Sequence, residues 1–104
     1  MKFVLRSAAR EDVLRQYEYY LTAADAVIAA RFLTAVQSAI SQICRQPGIG
    51  APKMLNSRTL VGLRSWPVKG FAEIRLYYLV SEATLRVIRV VHGKRDLGPI
   101  LEEL

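Results

Sequence analysis

Hydrophobic positions along this chain change period once, near residue 47, and the change divides the elements they predict. Residues 2–6 alternate polar and apolar, with Phe3 and Leu5 on one side, which predicts a short strand. Ser7 is placed to cap a helix, with Glu11 and Asp12 near its first turn. Val13, Tyr17, Tyr20, Leu21 and Ala24 then fall on one helical stripe. Asp25 predicts the cap of a second helix, with the stripe Ala29, Leu33, Val36, Ile40 and Ile43. That helix must end at Arg45-Gln46, because Pro47 cannot continue it and Gly48 and Gly50 follow. Two helices joined so tightly make an antiparallel hairpin.

Residues 47–59 lack periodicity and predict a loop. Beyond it the period is two. Residues 61–66 predict a strand, and Pro67 to Gly70 a turn. Residues 71–80 predict a second strand with Ala72, Ile74, Leu76, Tyr78 and Val80 on one face and Phe71, Glu73, Arg75, Tyr77 and Leu79 on the other. Ser81 to Thr84 is a tight reversal and residues 85–92 a third strand, stopped by Gly93. Asp96 predicts the start of a last helical turn with Ile100, Leu101 and Leu104 apolar. The expected class is α+β: an N-terminal strand, a two-helix antiparallel hairpin, and a three-stranded antiparallel meander packed on it, in one domain spanning 1–104.

Composition adds three exclusions. The 104 residues are 52% hydrophobic and 23% charged, enough apolar material for a core without staples. One cysteine, Cys44, allows no internal disulfide, and its place near the second stripe reads as a small core hydrophobe. The longest purely apolar stretches, such as residues 76–80, fall far short of the roughly 20 residues of a membrane span. The expectation is a soluble, reduced, cytoplasmic protein. His92 is the only histidine, so no multi-histidine metal site forms, and neither a metal nor a cofactor is expected.

Charge does change the picture. The net +6 is distributed as +1 over residues 1–44, +8 over 45–95 and −3 over 96–104. Arg64, Arg75, Arg86, Arg89 and Arg95 lie on the meander and its exit, with Lys69 and Lys94 beside them. Arginine is rarely buried unpaired, so the pattern reads as a cationic surface for an anionic partner. Such arginines can pair with carboxylates, bind phosphates or stabilise a phosphorane-like transition state.

The stretch Leu63-Arg64-Ser65-Trp66-Pro67-Val68-Lys69-Gly70-Phe71, together with Ile74-Arg75-Leu76-Tyr77-Tyr78 and Val87 through Asp96, resembles the ParE branch of the RelE/ParE toxin superfamily. Ala8 to Tyr20 and the helix end from Phe32 to Gly48 resemble it too. The resemblance implies the toxin of a type II toxin–antitoxin system, acting on DNA gyrase, arresting growth and neutralised by a ParD-like antitoxin in a hetero-oligomer, without sequence-specific DNA binding of its own. The alternative it implies is a RelE-like nuclease cutting messenger RNA on the ribosome. A non-toxic basic nucleic-acid-binding module is the third reading. Arg75 and Arg95 match the nuclease branch's arginines. Val61, Gly62 and Leu63 stand where that branch has lysines, and residues 96–104 contain no tyrosine. RNA cleavage through the 2′-hydroxyl needs proton handlers as well as cations, which favours the gyrase poison with no catalytic residues. An antitoxin tail is expected in a groove between hairpin and sheet, touching Tyr17, Tyr20, Leu21, Trp66 and Tyr78 and pairing with Arg64, Arg75 and Arg89. Lys94 and Arg95 are expected to face the target. The charge block further predicts that Arg75→Glu weakens an acidic tail more than Arg10→Glu.

Overall fold

The computed structural model describes residues 1–54, 58–71 and 73–94. Strand β1 (Lys2–Leu5) leads into helix α1 (Ser7–Ala23), helix α2 (Ala26–Arg45) and a short β2 (Ala51–Pro52). Strands β3 (Arg64–Pro67), β4 (Ile74–Ser81) and β5 (Thr84–His92) follow. They form one mixed sheet in the order β1-β5-β4-β3-β2. The meander β3-β4-β5 is antiparallel, as its short turns require. β1 joins it parallel to β5, with Lys2 opposite Thr84 and Leu5 opposite Val87. A parallel pair needs a long crossover, and almost the whole chain supplies it.

Local sequence accounts for most element ends. The Asp25 side chain accepts the Ile28 amide at 2.9 Å and starts α2, and Pro47 stops it after Arg45. Ser7, by contrast, is the first helical residue of α1 rather than its cap; the cap position is Arg6, with no side-chain hydrogen bond. The first turn of α1 holds no acidic residue, and Asp12 is used elsewhere. Ala24 lies beyond the end of α1. Phe71 donates its amide to Val68 in the turn, so β4 begins at Ile74 rather than 71. Residues 61–63 belong to a turn before β3, with Gly62 at φ 86°. The β4–β5 reversal puts Glu82 and Ala83 at φ 52° and 57°, the left-handed pair of a two-residue hairpin that glycine or asparagine would enter more easily. The expected last helical turn from Asp96 lies outside the described residues.

The sheet buries both faces. Against the helices, Ile74, Leu76, Tyr78, Leu85, Val87 and Val90 pack on Ala9, Phe32, Val36, Ala39, Ile40 and Ile43. By length and mean hydropathy (1.4) α2 could cross a membrane; here its apolar stripe lines this core. Phe32 takes the core place expected of Leu33, which is 37% exposed. On the far face Leu60, Leu63, Tyr77, Ile88 and Val91 make a second cluster, the leucines coming from the segment expected to be loop or strand. A bulge lies between the two registers of β5: Tyr77 opposes Arg89 and Tyr78 opposes Val87, leaving Ile88 without a partner on β4.

Candidate partner-binding site

The expected groove between hairpin and sheet is occupied by the chain's own side chains. Tyr20, Phe32 and Phe71 stack on one another with ring centroids 5.2–5.4 Å apart. Burial raises the Tyr20 phenol above 10.0. Tyr17 packs beside them, half-buried. Trp66, also half-buried, donates its indole N–H to Gln42 Oε1 at 3.1 Å. Tyr78, expected as an antitoxin contact, is a core residue of the free chain. Its hydroxyl donates to the Pro47 carbonyl at 2.8 Å and accepts the Gly50 amide at 2.9 Å, tying the chain leaving α2 to the sheet. Gly50 must be glycine there, since a Cβ would sit 2.6 Å from that hydroxyl. Burial raises the Tyr78 phenol above 10.0, and the Gly50 amide and the Arg64 charge moderate the rise.

The arginines divide in the same way. Arg89, expected to pair with an antitoxin, is an internal brace in the free chain. Its Nε and Nη2 reach the two carboxylate oxygens of Asp12 at 2.6 and 2.8 Å, with side chains only 12% and 3% exposed. The same carboxylate accepts the Val90 amide at 3.0 Å. β1 pairs with β5 only as far as Val87, so Asp12 supplies the acceptor that a longer β1 would have offered. Arg64 donates to the Gly50 carbonyl at 2.7 Å and is also drawn into the turn after α2. Arg75 donates Nε to Ser65 Oγ at 3.1 Å, and its stem crosses over Gly93, where a Cβ would lie 2.8 Å from it. Lys94 is exposed, and Arg95 lies outside the described residues.

His92 does not join Arg75. Arg75 opposes Val91 of the second cluster, whereas His92 opposes Ile74 of the first, so the two side chains leave opposite faces of the sheet. The imidazole stands 3.7 Å from Glu73 at the surface. Among the described residues no three His, Cys, Asp or Glu side chains gather to hold a metal.

The open apolar surface lies elsewhere. Phe3, Leu5, Val13, Leu14 and Leu33 line a groove of about 560 Å³ between β1, α1 and α2, with Arg10, Gln37 and Ser41 also lining it. Phe3 is 50% and Leu14 57% exposed, and Leu21, the one expected contact left largely free, is exposed on α1. The sequence carried a signal for this surface. Leu14 and Leu21, two turns apart, form a second stripe on α1, beside Val13, Tyr17 and Tyr20.

The described residues thus form a small α+β unit with a buried ion pair and an exposed apolar groove. The fold is that of solved bacterial toxins. A chromosomal ParDE system from P. aeruginosa aligns at TM-score 0.61 and 18% identity, over 88% of this chain and 95% of that one. A YoeB/ParE toxin from Agrobacterium tumefaciens aligns at 0.59 and 24%, over 89% and 99%. The YoeB toxin within a heterotetrameric YoeB–YefM toxin–antitoxin complex from Staphylococcus aureus aligns at 0.56 and 21%, over 89% and 97%. Comparison with curated protein sequences gives no match. The family model of the ParE toxin of the type II toxin–antitoxin system parDE matches residues 3–97, and the chain belongs to that family.

Proposed function

We propose that this toxin arrests growth in the cytoplasm by poisoning DNA gyrase, without bond-making chemistry of its own, and is held inactive by a ParD-like antitoxin. The observation that carries the reading is the state of the sheet face bearing Arg75. Leu60 and Leu63 cover it, Tyr77 beside Arg75 is buried, and the single imidazole projects from the other face. Arg75 could hold a phosphate there, but while Tyr77 is buried no exposed described side chain is placed beside it to take the 2′-hydroxyl proton or protonate the leaving oxygen. The antitoxin's apolar side chains fit the Phe3–Leu14–Leu33 groove in helix-in-groove fashion, with carboxylates reaching Arg10.

Induction in a susceptible bacterium tests it. The expected result is gyrase-linked DNA breaks and an induced DNA-damage response, with transcripts intact and purified protein leaving messenger RNA uncut on translating ribosomes. Codon-register cleavage that disappears in Arg75→Ala would replace this reading by the nuclease.

A further inference from the structure

Tyr77 carries the one buried side-chain oxygen without a hydrogen-bond partner among the described residues. The residue is fully buried, and burial raises its phenol above 10.0, moderated by the Arg75 charge nearby. A phenylalanine would fill the same apolar cluster without stranding a hydroxyl, so the tyrosine is poorly matched to the closed arrangement. Leu60 and Leu63 are buried on the cluster while Val61 between them is 77% exposed. Among the described residues the backbone bonds of this stretch, Leu63 amide to Leu60 carbonyl at 3.1 Å and Lys53 amide to Leu63 carbonyl at 2.8 Å, run within it and to the segment after β2. Gly62 at φ 86° bends it so that both leucines point inward.

We propose that residues 60–63 form a displaceable strap that opens as a local unit, uncovering the Tyr77 hydroxyl next to Arg75 and Ser65. Ser65 opposes Tyr77 in register, and Arg75 lies two positions away on the same face of β4. Opening therefore exposes a hydroxyl, a phenol and a guanidinium together. In the closed state the same face is apolar and sealed. Two leucines hold the strap down, and the stranded phenol works against them. Such an opposition places the strap at the low-stability end of the molecule, where segments open without global unfolding. This inference stands whether the toxin's target is gyrase or the ribosome.

Native-state hydrogen exchange on the full chain tests it, with the Lys53 and Leu63 amides as reporters. They are expected to exchange at least about tenfold faster than the β4–β5 ladder amides and with weak urea dependence. Tyr77→Phe is expected to slow the two reporters by roughly 5- to 100-fold, because closing no longer strands a hydroxyl. Leu60→Ala is expected to speed them by about tenfold or more. Reporters that exchange no faster than the ladder, with the same steep urea dependence, would overturn the proposal. So would Tyr77→Phe accelerating exchange, which would mean that the hydroxyl is satisfied when the strap is closed.

Discussion

Replacing Asp12 by alanine removes three hydrogen bonds at one stroke, two from the Arg89 guanidinium and one from the Val90 amide. Arg89 keeps its charge in a position where its side chain is 12% exposed, and the Val90 amide loses its acceptor at the edge of β5. Breaking a buried pair from one side costs about 3–5 kcal/mol. Domains of this size are stable by roughly 5–15 kcal/mol, so the variant should retain little more than half of that, and often less. At about 4–8 °C per kcal/mol the midpoint should fall by roughly 12–40 °C. Urea unfolding followed by circular dichroism measures it directly. The double variant Asp12→Leu with Arg89→Met should recover most of the loss, because neither side then leaves a charge behind. A loss below about 1 kcal/mol would refute the reasoning, since that is what a solvated surface pair contributes.

Tyr78→Phe should destabilise by about 1–3 kcal/mol in the same assay, leaving the Gly50 amide and Pro47 carbonyl without their partner. Stability should decline as pH rises beyond 10.0, because burial raises the Tyr77 and Tyr78 phenols above that value. The folded state holds protons that the unfolded chain releases, so their contribution is complete below pH 10.0 and lost as pH climbs through the raised values; an alkaline melt unchanged in Tyr77→Phe would argue against it. Placing Asn-Gly at positions 82–83 should raise stability by roughly 1–2 kcal/mol, read as a higher urea midpoint with unchanged slope, by relieving two left-handed non-glycine residues. Calorimetry with an acidic antitoxin tail at matched salt should show Arg10→Glu weakening binding roughly tenfold and Arg75→Glu less, since Arg10 lines the open groove and Arg75 does not. That order reverses the one expected from the charge block, and equal losses would reduce the effect to net charge.

The periodicity located both helices and the strands of the meander, each within a few residues. Asp25, Pro47 and the meander turns fixed ends within a few residues. What stayed illegible were choices made between distant segments. Nothing local tells that β1 pairs with β5 in parallel, or that Leu60 and Leu63 fold back over Tyr77. The candidate site suffered more than the fold for the same reason. Tyr78 and Arg89 carry the residue types of a binding surface, and only their partners, the Pro47 carbonyl and Asp12, reveal that they face inward. Arg64 spends its donors on the carbonyl of Gly50. Counting charge along the chain could not separate such arginines from exposed ones.

The pairing of the first strand with the last imposes an order on biosynthesis. Lys2 meets Thr84 and Asp12 meets Arg89, so the N-terminal part leaves the ribosome long before its partners exist. At roughly 5–20 residues per second the wait lasts several seconds, during which Phe3, Val4 and the apolar stripes of both helices have no sheet to pack on. Contacts so far apart in sequence also form late in folding. Until residues 84–90 have been made the N-terminal strand and Asp12 have no partners, and an antitoxin made alongside has that interval in which to meet the chain.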